Sequence, residues 1–365
     1  MISIIINLPG DKNPSYNPEV FKPNSRNRQR LTSVASMRLQ FFPLLDALKS
    51  ENIKAKIHNI SSENFNMGEL TRSERVLVLK LSPLSQHSAT HKNALELNNY
   101  AKKKLNNILV YYGDNYMATN STLSLIYQNV IKNCTAIASH SSYLNQIAKS
   151  LNKHAKISEI PDPCLLTRQP FLTSNNQKEC RIIWFGQGAN LTYLLENLGH
   201  IMKNCHSCKK FRLTILTRRS YFDQLIIPKL KEIKSSPSAA EMPASWNIRL
   251  VPWNDETQPQ QLEEELGKAD ISFIPSDPSN PWKQGASANR LVDSIQSGCI
   301  TVCSPLESYR DFRTLTLQGQ DFANLIDQAW RERTSISRQI EVIRENALDS
   351  YSQKIIQQKW LDFLV

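Results

Sequence analysis

Nowhere does the 365-residue chain carry the ~20 consecutive apolar residues that a membrane-spanning helix requires. Met1 to Asn7 is too short for the apolar core of a signal peptide and is followed closely by Pro9 and Asp11, so a first strand is expected there. Cysteine offers no disulfide framework either. Seven is an odd count, and Cys180, Cys299 and Cys303 sit in apolar, strand-like settings, as reduced core thiols of a cytoplasmic protein do. The single CxxC, Cys205 to Cys208 with His200 nearby, lacks the further ligands of a zinc site. Aromatic and basic residues are not interleaved as in RNA-binding modules, so nucleic acid ranks last among the partners. Acidic charge is short as well: 33 acidic against 44 basic residues leave a net charge of +11. That excess fits a phosphate-bearing partner or an anionic membrane surface, or a basic surface kept for solubility.

What is present is an ordinary soluble composition, 40% hydrophobic and 21% charged, in a chain long enough for two domains of similar size. Ile2 to Ile6 reads as a buried strand. Asp11 to Gln29, polar and without periodicity, reads as a long loop ending in Arg26, Arg28 and Arg30. A helix is expected from Ser33 to Lys49, kinked or broken at Pro43. Strands are then expected at 53–57, 76–81, 107–112, 135–138 and 155–160, with helices at 95–104, 116–131 and 143–151. This alternation predicts an α/β domain with a mainly parallel sheet over residues 1–163. Residues 164–179 read as a linker, in a stretch from Asp162 to Glu179 that holds two prolines and many polar residues. A second α/β series occupies 180–345: strands at 181–185, 211–216, 248–252, 271–274 and 300–303, helices at 191–202, 221–233 and 260–266, and a helix starting near Ser287. Residues 346–365 form a C-terminal helix expected to pack back on the first domain.

Four places suit phosphate chemistry. Gly186, Gln187 and Gly188 follow a strand and open a helix, so backbone N–H groups there could approach a phosphate. No third glycine stands at dinucleotide spacing and no acidic residue ends the next strand, so an ordinary tight turn is the rival reading. Arg218 and Arg219 end the second strand of this domain, where an arginine fork could hold a diphosphate or be a solvated residue. Trp253, in VPWND, could lie on a nucleobase or pack on its own domain. The richest stretch runs from Ala269 to Phe312: strand, loop, helix, strand. Lys283, Gly285, Ser287, Asn289 and Arg290 fall where the loop meets the helix N-terminus, with Asp293 one turn further. A capped helix with surface charges is the rival there.

The residues ISFIP through GASANRLVDSIQSGCITVCSPLESYRDF resemble the donor half of the two-domain GT-B glycosyltransferases. The resemblance rests on Ser287, Asn289 and Arg290, Ser297–Gly298, Pro305, Tyr309 and Asp311–Phe312. SMRLQ (Ser36 to Gln40), IASHSSYL, IPDP and WFGQGAN are similar in kind to other parts of that family. It implies two Rossmann-like domains with a cleft between them and a helical tail. It also implies a nucleotide-sugar donor on the second domain and a glycan or lipid-linked acceptor on the first, with no metal or other cofactor. Lys283, Arg290 and Arg218 would neutralise the leaving diphosphate. An inverting member would need a base, and Asp114 is the candidate, with Asp11 and His140 behind it; Asp114 as a helix N-cap is the rival. Arg38 would reach the cleft or be solvated. Retaining members often carry two glutamates spaced as Gly285 and Asp293 are, and here a glycine holds the first place. A sugar-nucleotide epimerase and a non-catalytic binding protein are the alternatives to transfer. The resemblance places such a protein in the cytoplasm, at most peripheral to a membrane.

Overall fold

The computed structural model describes all residues except 9–12, 14, 24, 32–33, 71, 80, 82–88, 104–106, 174–177, 237–241, 255–256, 258 and 365. The chain divides into two compact units. The first comprises Met1–Pro163, Pro281–Ser287 and Tyr351–Val365; the second comprises Cys164–Asn280 and Ala288–Ser350.

Unit 1 is built on β1 (Ile2–Ile6), β2 (Ser15–Tyr16), β3 (Ala55–Asn59), β4 (Arg75–Val78), β5 (Ile108–Tyr112), β6 (Ala136–Ser139) and β7 (Lys156–Glu159). Their order across the sheet is β2-β3-β1-β4-β5-β6-β7, parallel throughout except for β2. Every residue of β1 and of β5 is buried, which is what a strand with both faces covered demands and why these segments read as unbroken apolar runs. The helices are α1 (Arg26–Leu31), α2 (Phe42–Ser50), α3 (Met67–Leu70), α4 (Ala89–Lys102), α5 (Thr122–Asn133) and α6 (Ser142–Leu151).

One expectation is corrected here and one is refined. The stretch expected as a long loop contains β2, a 3₁₀ turn at Pro18–Phe21 and α1, held by Arg28, whose guanidinium grips Asp46 at 2.6 and 2.7 Å. Its polarity hid this, because α1 is short and ties down through charge rather than an apolar face. The helix expected from Ser33 to Lys49 is present as continuous helical residues 35–50, of which Met37–Phe41 is a π-turn running into α2. Pro43 thus falls in the first turn of α2, where a missing N–H is tolerated.

Unit 2 holds β8 (Glu179–Phe185), β9 (Lys210–Thr217), β10 (Ser245–Pro252), β11 (Ile271–Ile274), β12 (Ile300–Cys303) and β13 (Thr316–Gln318), all parallel, in the order β10-β9-β8-β11-β12-β13. The chain winds outward from β8 to β10, then returns to β11 beside β8. That reversal is the topological switch point at which open α/β sheets bind ligands. Its helices are α7 (Gly188–Asn204), α8 (Ile227–Ser235), α9 (Gln260–Leu266), α10 (Asn289–Gln296), α11 (Phe322–Arg331) and α12 (Arg333–Asp349). Residues 164–173, expected to begin a linker, are part of this unit: Leu166 is buried and the Gln169 N–H donates to Gln296 O at 2.9 Å.

The last helix, α13 (Gln353–Leu364), belongs to unit 1. Ile356, Trp360, Phe363 and Leu364 are buried, with Trp360 5.3 Å from the Tyr111 ring; each contributes about 1.5–3 kcal/mol of gross burial. Two cations satisfy its final carbonyls: Arg75 donates to Leu364 O, and Lys156 Nζ to Asp362 O at 3.2 Å, the charge a helix C-terminus favours. Among the described residues no helix is long and apolar enough to cross a membrane.

The interior of unit 1 carries one titration with a visible consequence. His58 on β3 lies 2.9 Å from Ser3 Oγ, which in turn meets Ser73 Oγ at 2.6 Å. Burial, aided by Lys56 and opposed by Glu69, lowers its pKa from 6.5 to about 4. Between those values the unfolded chain binds the proton and the folded chain does not, so stability rises with pH across that window. Urea midpoints are expected to fall as pH drops below 6.5, by up to about 1.4 kcal/mol per unit, and to be flat above it. The slope between pH 5 and 6.5 should shrink in His58→Gln; an unchanged slope would refute the assignment.

Candidate functional site

At the switch point of unit 2 the carboxyl end of β8 passes straight into a glycine turn. Gly186 has φ 154°, and the Thr217 hydroxyl, fully buried at the end of β9, donates to Gly186 O at 2.7 Å. Gln187 stands at the N-cap of the 17-residue α7 and makes no side-chain cap bond; its carbonyl takes the Asn190 N–H at 2.9 Å, and the Gly188 and Ala189 N–H groups open the helix ahead of it. Gly188 lies against the Tyr221 ring, where a Cβ would come within 2.3 Å of Cζ, so any larger residue would have to displace that ring.

Arg290 supplies the cation. From the first turn of α10 its Nη1 reaches 3.5 Å from Phe185 O and the same distance from where a Cβ on Gly186 would stand. The guanidinium also lies near the ends of β12 and the segment after it. Burial pushes the Tyr309 phenol up, with Arg290 beside it as the opposing influence, and burial pushes the Cys303 thiol up to about 12. A half-buried arginine held at strand ends over a glycine turn and a helix N-terminus is chemistry for a phosphate.

The other expected donor residues fall around this centre. Arg218 and Arg219 follow β9 and are exposed. Trp253 follows β10; its N–H donates to Thr217 O at 2.8 Å and its ring packs, half-buried, on the cluster of Ile183, Phe185, Leu216 and Val251. Packing on its own domain is therefore observed, with part of the ring still exposed. Asn289 opens α10 and accepts the Arg290 N–H at 2.9 Å. Asp293, one turn on, takes the Cys164 thiol at 3.6 Å; burial, then Asp293, pushes that thiol well up.

Lys283 and Ser287 fall in unit 1. The segment Pro281–Ser287 belongs to unit 1, and the expected loop is divided at its end. Pro281 O accepts Asn115 Nδ2 at 2.8 Å, and Trp282 meets the Tyr116 ring edge-on at 5.4 Å. A Cβ on Gly285 would stand 2.8 Å from Leu144 Cδ2 and 2.9 Å from Asn115 Cβ. The place where retaining members carry a glutamate thus has no room for one. Ser287 was expected at the helix start as a phosphate contact; its hydroxyl instead donates to Asp162 Oδ2 at 2.6 Å, and α10 starts after Ala288 without a side-chain cap.

Unit 1 presents its own polar groups at the carboxyl ends of its strands. Asp114 follows β5, half-buried, with Tyr116 Oη 3.4 Å from its Oδ2. It does not cap α5, because Ser121 does so by accepting the Ser124 N–H at 3.2 Å. His140 follows β6, buried, 3.1 Å from Gly113 O. Arg38 is half-buried in the π-turn. Asp11 lies outside the described residues. The CxxC is a turn before β9: Cys205 is buried with its thiol on Ala323 O, and the Cys208 thiol contacts Lys178 O. Among the described residues no three His, Cys, Asp or Glu side chains are grouped to hold a metal.

No protein-family model and no curated protein matches the chain. Solved structures do. A trehalose-6-phosphate synthase, OtsA, superposes with a TM-score of 0.59 at 9% identity, covering 100% of this chain and 98% of its own. A UDP-forming trehalose-phosphate synthase from Burkholderia xenovorans gives 0.57 at 8% identity over 100% and 98%. S. aureus TarM, in complex with fondaparinux, α-GlcNAc-glycerol and UDP, gives 0.53 at 14% identity, over 81% of this chain and 57% of TarM. The fold is that of the GT-B glycosyltransferases.

On this GT-B frame the second unit carries Gly186, Gln187, Gly188, Arg218, Trp253, Asn289, Arg290 and Asp293, and the first carries Arg38, Asp114, Lys283 and Ser287. Thr217 and Asp162 were not singled out from the sequence, and Tyr309 was named only for the resemblance. Thr217 and Tyr309 are buried partners of the glycine turn and of Arg290, and a threonine in an apolar strand gives no signal of its own. Asp162 did have a signal: IPDP follows a parallel strand, and a carboxyl-end acidic residue is where a functional group would stand.

Proposed function

We propose that this chain is a glycosyltransferase that moves a sugar from a nucleotide-sugar donor to a glycan, lipid-linked glycan or other hydroxyl-bearing acceptor. Synthesis of bacterial cell-surface polysaccharide is the setting. The observation that carries the proposal is Arg290, held at the switch point of unit 2 beside the glycine turn and the N-terminus of α7. The UDP-sugar and UDP complexes of the structural neighbours support it. In transfer, an acceptor oxygen bonds to the anomeric carbon, the bond to the donor phosphate breaks, and the hydroxyl proton leaves to a base. Negative charge then grows on the departing diphosphate, where Arg290, Arg218 and the α7 N–H groups stabilise it without a metal. Trp253 faces the base of the nucleotide and Asp293 its hydroxyls. Unit 1 takes the acceptor; Asp114 is our base for an inverting reaction, and Arg38 and Lys283 are its cations. The basic surface docks the enzyme on anionic membrane from the cytoplasmic side; binding to anionic vesicles at physiological salt tests that.

The closed space at Gly285 favours one second reading, a nucleotide-sugar binding protein without turnover, since no carboxylate can enter there to grip the sugar. Thermal unfolding with UDP, GDP, CMP, TDP and ADP tests the donor site common to both. Saturation at a hundredfold over Kd stabilises by about 2.7 kcal/mol, an expected rise of roughly 5–10 °C for a unit of this size. No shift with any of the five refutes the donor site. A shift without turnover in any acceptor screen favours the binding protein.

A further inference from the structure

Asp162 is 5% exposed, yet it has no cation partner among the described residues. The other buried carboxylates are satisfied more fully. Asp270 holds Arg181 through two guanidinium nitrogens, Glu265 has Arg249 and Lys268, and Asp327 accepts two backbone N–H groups and a hydroxyl. Asp162 has two neutral donors, one on each oxygen: Gln40 Nε2 at 3.1 Å and Ser287 Oγ at 2.6 Å. A carboxylate can take about four hydrogen bonds, and one buried with two neutral donors does not stabilise a fold efficiently.

Its neighbours suggest what it is for. Gln40 lies in the π-turn that carries Arg38, and Ser287 ends the segment that carries Lys283. π-turns of this kind recur at functional sites. The same segment is pinned at Pro281 by Asn115 and at Gly285 by Leu144 and Asn115, so Ser287 is its last anchor in unit 1. The Tyr111 phenol, which donates to Ile160 O at 3.4 Å, is pushed up by burial and then by the charges of Asp162 and Asp114.

We infer that Asp162 is a positioning residue: through Gln40 and Ser287 it sets the two segments that bear the candidate cations Arg38 and Lys283. The role rests on the glycosyltransferase reading, but the hydrogen bonds can be tested apart from it. Hydrogen exchange of the amides of 282–287 in the full chain needs no substrate. Ser287→Ala and Asp162→Ala should each speed their exchange about tenfold, the double variant no more than either alone. Asp162→Asn can accept from Gln40 and donate to Ser287 Oγ, and Ser287→Thr keeps the hydroxyl; both should restore protection. In turnover, the two alanine variants should lower kcat about tenfold with the donor KM unchanged, and the two conservative variants should recover it. Unchanged exchange, strictly additive effects, or Asn behaving as alanine would overturn the inference. So would faster exchange spread across all of unit 1, the mark of a merely structural residue. Absence of turnover in the wild-type protein, with the exchange pattern as expected, removes the glycosyltransferase reading and leaves the anchoring role intact.

Discussion

Replacing Arg290 by alanine should abolish the thermal shift given by the preferred nucleoside diphosphate and lower transfer by about 10²–10³. That is the loss typical when one preorganised charge-stabilising group is removed from a reacting centre. The side chain is half-buried and its contact with Phe185 O is long, 3.5 Å, so the fold should lose little. Arg290→Lys is the sharper test. An ammonium restores the charge but not the planar fork that can bond two phosphate oxygens while lying against Phe185 O and Tyr309. Nucleotide affinity should therefore return only in part. Arg313, an exposed cation of the same unit, is the control, and Arg313→Ala should leave both readouts as they are. Equal losses in Arg290→Ala and Arg313→Ala would mean that binding follows net charge rather than this position. A full thermal shift in Arg290→Ala would place the phosphate elsewhere.

Much of this frame was legible because its signals are local. Apolar runs bounded by Pro, Gly and polar residues gave the strands, and their alternation with amphipathic segments gave the parallel sheets. The Gly186–Gly188 turn and Arg290 could be found because a strand, a glycine and a helix start are contiguous in the chain. What failed depends on contacts distant in sequence. Ser287 looks like a helix cap until its hydroxyl is seen spent on Asp162, 125 positions away. Gly285 looks like the loss of a catalytic carboxylate, and becomes a packing necessity only when Asn115 and Leu144 close on it. Lys283 and Arg290 are seven residues apart by number, yet the chain changes unit between them. Residues 164–173 looked like linker because prolines and polar side chains signal turns. Their docking depends on one cation far along the chain.

That cation is Arg344, and its loss should be the most damaging single change to unit 2. It is 1% exposed on α12. Nη1 donates to Gln169 O at 2.9 Å and to Ile295 O at 3.1 Å, Nη2 donates to Glu341 at 3.0 Å, and the guanidinium lies 4.9 Å from the Phe171 ring centre. One side chain thus satisfies a carbonyl near the C-terminus of α10 and fastens the 164–173 segment beside it. Alanine would take the guanidinium from Gln169 O, leave Ile295 O with backbone donors such as the Gly298 N–H at 3.1 Å, and open a cavity against Phe171. An unsatisfied buried carbonyl costs about 1–3 kcal/mol and the lost packing of a large buried side chain about 2 more, for a total of about 3–5 kcal/mol. For a unit of this size that is a fall of roughly 6–20 °C in Tm. Glu341→Gln is the contrast. Glu341 is 43% exposed and shares its charge with Arg168, itself on the surface, so its loss should cost under about 1 kcal/mol. Calorimetry on the two variants separates the cases. If Arg344→Ala unfolds within a degree or two of Glu341→Gln, Gln169 O has found another donor, and the segment is held by its apolar contacts at Leu166 and Phe171 instead.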